Sequence, residues 1–323
     1  MQMSLMYPLT EAHMLGICVI IYGASKFCEP VIGLLCDNWV SSYGRRLPLF
    51  LLSNIFVFVS LCVMGHGVHD NTRGPIYLCG FIICMFAINI AEVPYHGIIA
   101  DEAELRPRTL GILSGYKMAW FLLGAALCQV AVSMGMSTIS IYIAQIVLLP
   151  LFVGFTIKSM LVTASHPSDP PFRLTLRSAI ASYTMSPSTH GILFWITASY
   201  FFLSAALQWE RFLFFFVRDC ISPTVSLAKV VASRAYIVCL VASACGAVCY
   251  SAFACTRRLG DRRCWLLNTF CLGAITCCMI FVETPAQLYY VAFAFGVNNG
   301  LFLSSSFALA IQHIPQGHQE SLR

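Results

Sequence analysis

Apolar residues fall in long unbroken runs with no alternation of period two, and polar residues collect in the short gaps between them. A bilayer core needs about 20 predominantly apolar residues per helix. Nine stretches meet that length: roughly 13–36, 47–68, 75–100, 110–134, 138–160, 190–216, 230–255, 264–283 and 286–312. Membrane β-strands alternate apolar and polar positions, and these runs do not, so the pattern predicts helices. The expected fold is all-α: a polytopic membrane protein of about nine transmembrane helices. The first fourteen residues hold no Lys or Arg and the run behind them is longer than a signal-peptide core, so no cleaved signal is expected.

Composition agrees. The chain is 59% hydrophobic and 10% charged, with a mean hydropathy of +0.78. Soluble globular chains carry roughly 25% charge. This excludes a soluble enzyme, a disordered chain and a nucleic-acid binder. The net charge of +5 is explained by where the charges fall. One alternate set of loops holds Arg45, Arg46, Arg106, Arg108, Lys158, Arg173, Arg177, Arg257, Arg258, Arg262, Arg263 and Arg323, twelve of nineteen basic residues. Basic loops face the cytoplasm. Nine spans then leave the N-terminus outside and the C-terminus in the cytoplasm, in the plasma membrane or an internal membrane.

The longest gap, 161–189, is rich in Ser and Thr and holds Pro167, Pro170, Pro171 and Pro187. It reads as a cytoplasmic linker between a five-span bundle (1–160) and a four-span bundle (190–323). A faint repeat relates the halves: Gly44-Arg45-Arg46 against the Arg257–Arg263 loop, and Asn89 against Asn298-Asn299-Gly300. Parallel halves around a central cytoplasmic loop are one layout of secondary transporters.

The sixteen cysteines are scattered singly through apolar runs, without the ligand spacing of a metal site. No catalytic motif is present. No enzyme, metal or cofactor is therefore expected. Charges inside spans are costly and mark function by default. Lys26 and Glu29 are three apart on one helix face, and Asn89, Glu92 and His96 share another. Glu29, Glu92 and Lys117 lie at one depth, which predicts a network with Lys117 between the two acids; Lys26 lies one turn deeper. A purely structural ion pair stands beside this reading. Tyr200, Ser204, Gln208 and Arg211 form a polar stripe suited to sugar hydroxyls. The same stripe also fits interhelical packing, with Arg211 reaching to the interface.

The sharpest motif is Pro30-x-x-Gly33-x-x-x-Asp37, six residues, then Gly44-Arg45-Arg46-x-Pro48. An anion at a helix C-terminus seeks a cation, so Asp37 with Arg45 or Arg46 predicts a conformational latch. This stretch resembles the loop between helices two and three of the major facilitator superfamily, and more narrowly the sucrose–proton symporters of the glycoside–pentoside–hexuronide group. Pro94-Tyr95-His96-Gly97-Ile98-Ile99-Ala100-Asp101, followed by Arg108, is similar to the end of helix four and the next loop in that group. The resemblance implies a two-bundle fold, alternating access, a sugar or glycoside substrate moved with protons, and Gly33, Asp37, Gly44, Arg45, Arg46, Asp101 and Arg108 as latch residues. Lys26, Glu29, Asn89, Glu92, His96, Lys117, Tyr200, Gln208, Arg211 and Asn298 are the substrate or coupling candidates. Against the twelve helices of that family, the first and last two are unmatched, and its acidic residue in helix four falls on Met85. The alternative is a truncated, non-transporting membrane protein acting as a partner or sensor subunit.

Overall fold

A computed structural model describes residues 11–38, 41, 43–44, 46–69, 74–105, 109–163, 209–221, 224–256 and 260–313, with isolated positions between 191 and 199. The described chain is helical: α1 (Glu11–Lys26), α2 (Glu29–Asn38), α3 (Leu47–His69), α4 (Gly74–Leu105), α5 (Leu110–Ser133), α6 (Thr138–Thr163), α7 (Trp209–Phe216), α8 (Val225–Thr256), α9 (Asp261–Cys278) and α10 (Pro285–His313). Among the described residues eight segments are long and apolar enough to cross a bilayer, the first formed by α1 and α2 together. They match eight of the nine expected spans. The ninth, 190–216, lies mostly outside the described residues.

The first span differs from the continuous helix expected over 13–36. It breaks at Phe27–Cys28, where the amides of Phe27 and Cys28 bond back only three residues, to Ala24 and Ser25. The reason is Pro30, which has no N–H to give the carbonyl of Lys26 and whose ring crowds that carbonyl. Asp37, expected just past the helix end, lies inside the last turn of α2.

The packing forms two compact units, residues 1–101 with 136–184, and 102–135 with 185–323. In the first, α3 packs on α4 and α6 through Val57, Leu61, Met64, Tyr77, Cys84 and Ala87, with Ile139 and Ile146 against them. The hydroxyls of Tyr77 and Tyr142 meet at 3.0 Å. The other face of α6 exposes Ile143, Val147, Leu151 and Phe155. In lipid this costs nothing, because hydrocarbon is as apolar as the side chains.

In the second unit α8 is central, with α5 and α10 against it. Small residues let the backbones approach. A methyl group at Gly246 would strike the carbonyl of Val297, one at Gly296 that of Cys239, and one at Gly300 that of Ser243. On α5, a methyl at Gly115 would strike Ser251 and the carbonyl of Ala247, while Ser114 Oγ donates to the carbonyl of Ser304 at 3.0 Å. Helix α5, which the sequence order puts beside the N-terminal spans, thus packs on α8 and α10. Trp265 of α9 stacks on Phe302 and donates Nε1–H to Ser306 Oγ at 2.9 Å.

Candidate functional site

The helix break in the first unit turns polar groups toward α4. Lys26 is the last residue of α1 and Glu29 the first of α2, so the break sets both beside the middle of the neighbouring span. Lys26 Nζ donates to Glu29 Oε1 at 2.6 Å and to Glu92 Oε2 at 2.9 Å. His96, one turn on from Glu92, sets Nε2 at 3.1 Å from Glu92 Oε1. One turn earlier, Asn89 donates from Nδ2 to Ser25 Oγ, and that hydroxyl donates to the carbonyl of Tyr22 at 2.7 Å. Asn89 and Ser25 are buried, while Lys26, Glu29, Glu92 and His96 are each about a third exposed (33%, 31%, 32% and 33%). Pro94 lies within α4 between Glu92 and His96, and it denies the carbonyl of Ile90 its usual donor. Each of the two spans that meet here therefore carries a proline beside its charges.

Chemically this is a row of donors and acceptors: an ammonium shared by two carboxylates, an imidazole on the second, and an amide–hydroxyl pair beyond. The helical spacing of Asn89, Glu92 and His96 made their common face legible. The base that joins the acids is Lys26, where the sequence pointed to Lys117. Lys117 lies in the second unit, its ammonium 4.0 Å from the centroid of the Phe307 ring. Ser25 carried no signal beyond its place one residue before Lys26.

At the end of the first unit, Gly44 adopts φ +87°, a left-handed turn that favours glycine, and its N–H bonds the carbonyl of Ser41 at 3.1 Å. The chain then brings the Arg46 guanidinium against α4 at Gly97, where any side chain would displace it. Gly97 was quoted in the motif without a role, and its role is this close approach. Gly33 faces Val93 of α4 with room to spare, a methyl there lying 3.9 Å from Val93 Cγ1. Arg45, Arg108, Tyr200 and Gln208 lie outside the described residues. Asp37, Asp101 and Arg211 fall in α2, α4 and α7, with side chains outside the description.

In the second unit Asn298 donates to the carbonyl of Ala294 at 2.9 Å within α10. A polar group not foreseen ties three helix ends there: Tyr250 Oη and Gln312 Nε2 both donate to Asp261, each at 2.6 Å. Asp261 opens α9, where the helix dipole favours an anion. Outside the spans, Arg218 hydrogen-bonds Asp219 at 2.7 Å and holds its carboxyl below the usual carboxylate range. Among the described residues no three His, Cys, Asp or Glu side chains gather to hold a metal ion, and the described cysteines are free thiols.

Fold and cluster together define a polytopic α-helical membrane protein with an ion network inside its spans. Comparison with known proteins adds relatives. The chain is 25% identical to Sucrose transport protein SUC4 of Arabidopsis thaliana over 147 residues, 39% of this chain and 28% of that protein. It is 29% identical to Sucrose transport protein SUT3 of Oryza sativa, from both the japonica and indica subspecies, over 125 residues, 31% of this chain and 25% of each. The chain thus spans little more than a quarter of the relatives it matches. No family model matches it.

Proposed function

We propose that this chain acts in moving a sugar or glycoside across a membrane, as a secondary transporter of major-facilitator type coupled to protons. The observation that carries the reading is the network at Lys26, Glu29, Glu92 and His96. Ionisable groups on membrane-spanning helices are costly, pair with one another, and mark substrate or ion pathways by default. Distant similarity to sucrose transporters supports the substrate class. In this reading two bundles, 1–160 and 190–323, rock about a midplane site while the 161–189 linker joins them. The stripe at Tyr200, Gln208 and Arg211, with Asn298 and Lys117, offers hydroxyl-binding groups. The helix ends and loops bearing Asp37, Gly44, Arg45, Arg46, Asp101 and Arg108 form a cytoplasmic latch in this reading. The approach of the Arg46 guanidinium to Gly97 supports this reading.

The test is counterflow in liposomes with a panel of labelled sugars. Exchange of at least one sugar or glycoside above empty liposomes is the expected result, and none across the panel refutes the reading. Orientation is tested separately. In a Cys-less background, single cysteines at Ser42 and Thr175 should resist impermeant thiol reagents in intact cells. Labelling of either from outside overturns the assignment of these loops to the cytoplasm.

A further inference from the structure

Four arginines flank Asp261 in the stretch 257–263, and the last two, Arg262 and Arg263, lie in the first turn of α9. The span that begins there runs 21 residues, from Asp261 to Phe281. At about 1.5 Å per residue that is roughly 30 Å, the thickness of a bilayer core, so Arg262 and Arg263 stand at the headgroup boundary. Their direction around the axis follows from the two faces of α9. Cys264, Trp265, Asn268 and Leu272 are buried. Leu266, Leu267 and Phe270 are 53%, 59% and 78% exposed, the face that hydrocarbon covers. Arg262 and Arg263 lie one turn before Leu266 and Leu267 and are themselves exposed. Their guanidinium groups therefore project over lipid and not between helices.

The neighbouring acid is engaged elsewhere. One carboxylate oxygen of Asp261 accepts from Tyr250 of α8 and the other from Gln312 of α10. Between Val225 and His313 the sequence holds one other acidic residue, Glu283, beyond the far end of α9. Among the described residues neither Arg262 nor Arg263 has an ion pair or a side-chain hydrogen bond. Two cations in a first turn also oppose the helix dipole. Topology asks only for positive charge, which lysine meets equally well. Arginine adds a planar fork of donors that matches phosphate oxygens.

We propose that Arg262 and Arg263 dock the headgroup of an anionic phospholipid, with its phosphate on the guanidinium groups and an acyl chain along Leu266, Leu267 and Phe270. A lipid fits better than a soluble anion because the basic pair and the apolar residues form one continuous stripe of α9. The site is independent of any transported substrate and of which way the chain faces.

The probe is phosphatidylserine, titrated onto the purified full chain in neutral detergent and counted by native mass spectrometry, with phosphatidylcholine as the zwitterionic reference. The first phosphatidylserine should bind more tightly than the first phosphatidylcholine, and equal binding overturns the proposal. A basic residue at a membrane surface strengthens anionic-lipid binding about fivefold, so Arg262→Gln/Arg263→Gln should weaken phosphatidylserine about 25-fold and phosphatidylcholine much less. Lys229→Gln/Arg234→Gln removes the same charge toward the opposite end of α8 and should leave binding as in the native chain. Equal losses in the two double variants would mean that net charge alone attracts the lipid, which refutes a site. Arg262→Lys/Arg263→Lys keeps the charge that sets topology, so it decides the matter if the glutamine variant does not insert. Loss of the fork should weaken phosphatidylserine severalfold, and binding at native strength overturns the arginine site. Displacement of the lipid by millimolar inorganic phosphate would assign the pair to a soluble anion and overturn the lipid assignment.

Discussion

Replacing Lys26 with methionine should strip the network of its only lysine and lower stability by about 3 kcal/mol, the scale on which an intramembrane charge is penalised. The substitution keeps the length and volume of the side chain, so packing barely changes. What it leaves is Glu29 and Glu92, which both faced the lost ammonium. Glu92 keeps His96, but Glu29 keeps nothing that the structure gives it in this network. The double variant Lys26→Met/Glu29→Gln should therefore recover most of the loss, leaving a self-sufficient Glu92–His96 pair. Lys26→Met/Glu92→Gln should recover less. Thermal unfolding of purified protein in detergent reads all three. Equal stability of the two double variants would show that the groups do not act as a network.

The largest packing effect belongs to α8 and α10. Gly300→Val should destabilise the second unit by about 3 kcal/mol or more, at the upper end of the cost of overpacking. The atom in the way is the backbone carbonyl of Ser243, so no side chain can swing aside and a helix must move. Gly273→Ala on α9 is the control, because a methyl there meets nothing. It should be neutral or slightly stabilising, since alanine favours helix over glycine by roughly 1 kcal/mol. The fraction of monodisperse protein surviving a heat step separates the two. Similar survival would refute the close approach of the helices.

These two sites also mark where reading along the chain succeeds and where it stops. The spans were legible because bilayer thickness fixes a length, and apolar runs of that length are hard to mistake. Asn89, Glu92 and His96 were legible as one face because helical spacing alone decides it. Depth along an axis follows from residue counting, but direction around the axis toward a neighbour does not. Lys117 and Lys26 were therefore both plausible partners for the acids; the structure shows Lys26 on both, delivered there by a helix break. That break had a signal in Pro30, overridden by the unbroken apolar run around it. Gly246, Gly296 and Gly300 were visible as small residues, yet nothing in their spacing names the carbonyls they meet. Ser25 and Tyr250 are ordinary residues whose importance comes wholly from what lies opposite.

The broken first span has a mechanical meaning. An intact helix resists bending because each degree of bend strains its ladder of hydrogen bonds. At Phe27–Cys28 the ladder is already interrupted, with bonds reaching back three residues and no donor at Pro30. Bending there strains less than anywhere else along α1 and α2, so the two halves behave as a jointed lever with Lys26 and Glu29 on either side of the pin. The glycine-packed pair of α8 and α10 is the opposite element, a beam in which backbone bears on backbone. Force applied to the first span is absorbed at its joint, whereas force applied to the second unit is passed along its whole length.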